Sequence, residues 1–344
     1  MKNLFSHNSP FRIFVFSAIF SLFILLATAG KLGASSLSIL LVLIIIEITF
    51  SFENAIINAK VLTTLNKFWQ TMFLTVGIII AIFGMRIVFP IIIVSVTSNL
   101  GWKQVLDLAL NNPATYSEYL DNAYPLIAGF GGAFLTMLGL HFFLDNNKKI
   151  HWIRGLEKSL NKLSGNWMPA ILTATIVFIV SQMPANTHSK ETITSGAVGI
   201  VTFIFIHGLS EYFGKIQQKN NLKRGSVKIS GFAGLLTFMY LELLDASFSL
   251  DGVIGAFAIT DHVILIAAGL GIGAIWVRSM TVYMVRNGTL KNYIYLEHGA
   301  HYTVLVLAAT MFLSELYHIP EAIAGLAGII LIVSSIYQSR RVTA

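Results

Sequence analysis

The sequence predicts an all-α, polytopic membrane protein of about ten transmembrane helices, containing two inverted-topology three-helix repeats. Three observations predict it. Apolar runs long enough to cross a bilayer, for which ~20 residues are needed, recur along the whole chain. Hydrophobic residues make up 55% of the sequence and charged ones only 11%, with a mean hydropathy of +0.74, a balance foreign to soluble domains. An ordered acidic motif occurs twice, at a constant separation of 198 positions.

The first run, 11–29, has Lys2 and Arg12 at its start and Ala27 and Ala29 at its end. A cleaved signal peptide is the alternative reading, but the run is long for one, which favours a retained helix. Spans two to four are 37–62, 69–96 and 125–144, with a polar, acidic segment at 97–124. The connection 145–166 is basic, with Lys148, Lys149, Arg154, Lys158 and Lys162. Spans five and six, 167–183 and 192–213, lead to a second basic connection holding Lys215, Lys219, Lys223, Arg224 and Lys228. Spans seven to ten are 229–259, 262–285, 299–317 and 320–337, followed by Arg340 and Arg341. The organisation expected is a single membrane domain: repeat one over 37–144, connecting spans over 145–228, repeat two over 229–317, and a last span and tail over 318–344.

The net charge of +7 sits in short clusters between apolar runs, where it sets topology and does not imply nucleic acid. Ten spans bring both basic connections, the Arg286/Lys291 turn and the Arg340/Arg341 tail to one side. That side is cytoplasmic, together with both termini. A bacterial inner membrane is the expected location and the lipid bilayer the expected partner. Zero cysteines exclude disulfides and thiolate metal sites.

The repeated motif carries the chemistry. Glu47-x-Thr49-Phe50-Ser51-x-Glu53-Asn54 aligns with Asp245-x-Ser247-Phe248-Ser249-x-Asp251-Gly252. An intramembrane carboxylate costs at least ~2.5 kcal/mol even on the mildest scale, so its presence points to a function. The second span runs inward and the seventh outward, the antiparallel relation of inverted-repeat transporters that hold substrate at the midplane. Arg86 and Arg278 extend the repeat on the following glycine-punctuated helices. Glu47, Ser51, Asn54 and Asn58 share one helical face, as do Glu242, Asp245, Ser249 and Gly252. Glu53 and Asp251, six positions after the first acids, point roughly 120° away on a straight helix. Either the helix is unwound between the acids or the second acid meets another partner.

Carboxylate, amide and hydroxyl oxygens without thiolates suit a hard divalent cation, of which Mn2+, Ca2+ and Mg2+ are the candidates. Four acids against two arginines leave a charge of minus two, which one such ion neutralises, and protonation of one acid would suit proton-coupled exchange. The expected ligands are Glu47, Glu53, Asn54, Asp245 and Asp251, supported by Ser51, Asn58, Ser249, Glu242, Arg86, Arg278 and His141. No prosthetic group and no enzyme activity are expected, since neither H-E-x-x-H nor G-x-S-x-G is present.

The doubled motif, with the strings FSFENAIINAKVL and LELLDASFSLDGVIGAFAIT, resembles the paired acidic motifs of the TerC family of integral membrane proteins, in its larger branch. Glu53 stands where that family has Asp, and Gly252 where it has Asn. The resemblance implies a transporter-like inverted-repeat fold and export of divalent cations, chiefly Mn2+, together with links to tellurite resistance and envelope stress.

Plainer readings accompany these. The acids and arginines could be buried ion pairs that fix helix register. His207 and Glu211, four positions apart, could bind metal on one face, although interfacial snorkelling is the simpler account of both. His298 and His301 flank Gly299 at another boundary. Gly269-Leu-Gly271-Ile-Gly273 spells a nucleotide loop but lies inside a span, which favours close helix packing. The rival functions are a non-transporting membrane scaffold acting through the basic connections and a proton-coupled exporter of a small organic solute.

Overall fold

The computed structural model describes residues 9–33, 35–222, 228–257, 259–260, 262–317 and 319–343. Every regular element among them is helical. In chain order these are α1 (Pro10–Leu32), α2 (Ser35–Phe50), α3 (Phe52–Leu62), α4 (Lys67–Leu74), α5 (Val76–Ile79), a π-helical stretch (Ile80–Val88), α6 (Phe89–Ser98) and α7 (Trp102–Asn111). There follow α8 (Pro113–Phe143), α9 (Arg154–Asn161), α10 (Met168–Gln182), α11 (Ser189–Leu222) and α12 (Gly231–Phe257). The chain ends with α13 (Val263–Asn287), α14 (Thr289–Asn292), α15 (Leu296–Ser314) and α16 (Glu321–Thr343).

Local chemistry explains several ends. Pro10 opens α1, where its missing N–H costs nothing. The Asn66 side chain accepts from Trp69 N at 3.1 Å and caps α4. Gly288, at φ +62°, closes α13 in the left-handed conformation that only glycine adopts freely.

Seven helices among the described residues are long and apolar enough to cross a membrane, or eight if the bent pair α2–α3 is one span. The other two expected spans coincide with α10, apolar but only 15 residues long, and α15, of 19 residues. The chain is an all-α, multi-pass membrane protein.

The main departure from the expected boundaries is the fourth helix. It starts at Pro113, twelve residues before the expected span, and carries Pro125 in its interior. Proline is tolerated there because neighbouring helices and water can satisfy the freed backbone carbonyl. The acidic segment before it is also helical: α7, WKQVLDLALN, is amphipathic and buries Val105 and Ala109.

The chain divides into two compact units, Met1–Ala123 with Leu241–Gly288, and Tyr124–Tyr240 with Thr289–Ala344. The dividing points fall within α8 and α12. The first unit therefore holds both acidic motifs and both repeat arginines.

In the first unit α13 packs against α1, α2, α3 and the π-helical stretch. Its core joins Leu40, Ile44 and Ile272, with Ile24, Ile48 and Trp276 against them. A Cβ on Gly269 would lie 2.6 Å from Leu43 Cβ, so the glycine run is a close helix contact, as its position inside a span predicts.

In the second unit α15 packs on α16 and α10 on α11, around Ala133, Val177, Val180 and Phe312. There a Cβ on Gly199 would meet Phe130 O at 2.5 Å, which sets the approach of α11 to α8.

Candidate ion site in the membrane

The first motif sits on a broken helix. Between Glu47 and Glu53 the chain bends by 50° at Ser51, where α2 ends and α3 begins. The first repeat has a bend and not an unwound segment, since Ser51 N–H still donates to Glu47 O at 3.0 Å and Ala55 N–H to Ser51 O at 3.2 Å. In the second repeat α12 continues through the motif without a break. The break gives Glu53 a place in the first turn of α3, where unpaired backbone N–H groups and the helix dipole favour a negative charge.

Each arginine takes the first acid of its own repeat. Arg86 Nη2 pairs with Glu47 Oε1, to which Ser51 Oγ also donates at 3.2 Å. Arg86 sits in the π-helical stretch, and its Nη1 donates to the Ala81 carbonyl one π-turn earlier at 2.6 Å. Such π segments are rare and cluster at functional sites.

Arg278 Nη2 reaches Asp245 Oδ2 at 2.9 Å and Glu242 Oε2 at 3.0 Å. Its Nη1 donates to Phe73 O at 2.8 Å and to Glu242 Oε1 at 3.1 Å, with the guanidinium 4.2 Å above the Phe73 ring. The planar guanidinium can serve four acceptors where an ammonium could not. Two glycines make room for these groups. A Cβ on Gly77 would overlap Arg278 Nη1 and Glu242 Oε1, and one on Gly273 would overlap Glu47 Cγ.

The two motifs meet directly. Asn54 Nδ2 donates to Asp245 Oδ1 at 2.7 Å, and Gly252 lies against Glu47, its ideal Cβ 3.5 Å from Oε2. Moving from Glu47 to Asn54 moves the contact back from Gly252 to Asp245, seven residues each, so these segments cross antiparallel. The 198-residue offset exchanges the two contacts for one another. Asn54 corresponds to Gly252, and Asp245 to Glu47. The two contacts are thus related by the motif offset, with one difference. An amide bridges one contact and a glycine leaves the other without it.

Glu47, Glu53, Asn54, Asn58, Glu242, Asp245, Ser249, Arg86 and Arg278 are all buried, and Ser51 lies at the edge of burial. Asn58 Nδ2 donates to Asn54 Oδ1 at 2.8 Å, while its own Oδ1 is buried with no hydrogen-bond partner. Among the described residues Glu53 makes no ion pair and is 4% exposed. Four buried carboxylates, Glu47, Glu53, Glu242 and Asp245, thus stand against two guanidiniums. The four acids expected from the motifs are Glu47, Glu53, Asp245 and Asp251; Glu242 joins the described cluster in addition to them. Asp251 lies on α12, and its side chain is outside the described residues.

His141 is not part of this cluster. It belongs to the second unit, where its ring lies 4.4 Å from that of His207. In the same unit His298 Nε2 contacts Ile150 O at 2.9 Å, and His301 Nδ1 contacts Glu297 O at 2.7 Å while its ring stacks on Phe142 at 3.8 Å. Sequence reasoning missed Gly77 and the Phe73 carbonyl, neither of which carries a chemical signal of its own.

Residues 52–343 match a family described as protein of unknown function, DUF475. No curated protein and no solved structure matches the chain.

Proposed function

The chain belongs to the DUF475 family, and we propose that it carries a divalent cation across the membrane, with Mn2+ exported from the cytoplasm as the first candidate. The observation that carries this reading is Glu53, a carboxylate buried at 4% exposure, with no ion pair among the described residues and only the start of α3 to stabilise it. A group so placed is costly in lipid and is retained where it handles charge. The unpartnered oxygen of Asn58 adds an acceptor on the same helix. Both are hard oxygen donors of the kind Mn2+, Ca2+ and Mg2+ take. Preference for Mn2+ rests on the resemblance of the doubled motif to TerC-type exporters.

In this reading Arg86 and Arg278 hold Glu47 and Asp245 in place within the bilayer through their ion pairs. An arriving cation competes with the guanidiniums for those carboxylates, and the excess of two buried acids over two arginines lets the cation bind without leaving uncompensated positive charge. Motion of α3 about the bend at Ser51 would then open the site to one side or the other, as discontinuous helices do in transporters. Protons are the natural counter-ion, since Glu53 can release one when the metal binds.

The test is uptake of Mn2+, Ca2+ and Mg2+ into inverted vesicles containing the full-length protein. Glu53→Gln, and Glu47→Gln combined with Asp245→Asn, are expected to abolish uptake while the protein remains folded by circular dichroism. Uptake unchanged in both variants would overturn the proposal and leave the arginine pairs as devices that fix helix register.

A further inference from the structure

We propose a second metal site, separate from the acidic motifs, formed by His141, His207 and Glu211 and suited to a first-row transition ion of the zinc or cobalt class. His141 lies near the end of α8, while His207 and Glu211 lie one turn apart on α11. One ligand atom from each falls within 4.8 Å of the other two. In a tetrahedral site with bonds of ~2.0–2.2 Å, neighbouring ligand atoms stand roughly 3.4 Å apart. Small side-chain rotations bring the three to that spacing.

A second, independent observation points to a ligand. Among the described residues His207 Nε2 is buried and has no hydrogen-bond partner, and a buried polar atom left unpaired calls for an explanation, which a bound metal supplies. The His207 ring is held for the purpose. It stacks on Phe203 at 5.0 Å, and Tyr240 packs edge-on to it at 5.1 Å. Two imidazoles and one carboxylate are softer than the all-oxygen motif cluster and select for zinc, cobalt, nickel or iron over calcium and magnesium. Three protein ligands leave one position for water, the open arrangement of exchangeable sites.

Lys215 is the competitor. Its Nζ stands 2.6 Å from Glu211 Oε1, on an exposed helix turn, and a metal on Glu211 displaces or shares that contact. The lysine therefore tunes affinity without being a ligand.

The experiment is titration of the full-length protein in nanodiscs with Co2+, read by its visible absorption, followed by displacement with Zn2+. One saturable cobalt with the spectrum of a nitrogen-ligated site is expected. His141→Gln with His207→Gln should weaken binding by about a hundredfold or more, a loss at least as large as changes to groups behind the ligands cause. Lys215→Ala should tighten it, a change no purely structural role for the histidines would give. Glu53→Gln should leave the cobalt spectrum unaltered, which separates this site from the transport reading. Absence of a saturable cobalt spectrum, or its persistence in the double histidine variant, would overturn the proposal. So would its loss in Glu53→Gln.

Discussion

Asn54 donates to Asp245 at 2.7 Å across 191 positions of sequence, and the residue equivalent to Asn54 in the other motif, Gly252, faces Glu47 with no side chain to offer. The amide joins the two repeats on one side of their crossing only. Asn54→Ala leaves Asp245 short of a donor and Asn58 short of an acceptor, both buried. A loss of ~1–3 kcal/mol is expected for unsatisfied groups of this kind, measured as unfolding in detergent. Gly252→Asn should be tolerated, because among the described residues the one close atom to its Cβ is the Glu47 oxygen, at an ordinary contact distance of 3.5 Å.

Arg278 balances two carboxylates, so its removal strands both. Arg278→Met should destabilise by roughly 3–5 kcal/mol, the usual penalty for breaking a buried pair from one side. Adding Glu242→Leu should recover part of that loss, since one of the stranded charges is then gone. A double-mutant cycle on thermal unfolding measures the coupling. No recovery would mean that Glu242 is not a partner of Arg278.

Gly77 and Gly273 should resist enlargement. An added methyl at Gly77 meets the Arg278 guanidinium and at Gly273 the Glu47 stem, and overpacking of this kind costs ~1–3 kcal/mol. Among the described residues Gly30 has nothing within 4 Å of its Cβ position. Gly30→Ala should therefore be neutral or mildly stabilising in the same unfolding assay, in contrast to Gly77→Ala and Gly273→Ala.

The connection after α8 should give the protein an acid-sensitive step. Glu157 is buried, and its Oε2 lies 2.9 Å from Lys148 Nζ, 3.4 Å from His151 and 3.5 Å from His298. Tyr302 OH and the N–H groups of Trp152 and Ile153 donate to its Oε1. Burial by itself would raise the carboxyl pKa, but the Lys148 hydrogen bond and the charges of His298 and Lys148 outweigh it and hold the group below the usual value of 4.5. A carboxylate depressed in this way contributes stability that is present above 4.5 and is lost as the pH falls below it. Tm measured against pH should fall on the acid side in the native sequence and stay flatter in Glu157→Gln.

How much was legible in advance differs by level. Helices, spans and the paired motif follow from composition and periodicity, because a lipid solvent leaves few ways to satisfy a backbone. The start of α8 was misplaced because Pro125 reads as a start signal, whereas in a packed membrane helix it is tolerated. The extra acid was visible as Glu242 on the motif face. That it joins Asp245 on Arg278 was not, since Ile44 occupies the equivalent place in the first repeat.

The sequence by itself determined that each motif carries two acids inside an apolar run and that an arginine follows each pair, because charge and hydropathy are properties of the chain. Only the tertiary structure decided which acid each arginine takes, that the helix breaks at Ser51 and not in α12, and that His141 meets His207. Those outcomes depend on contacts between segments tens to hundreds of positions apart, where glycine-allowed approach and hydrogen-bond geometry select among pairings that the chain's chemistry leaves equal.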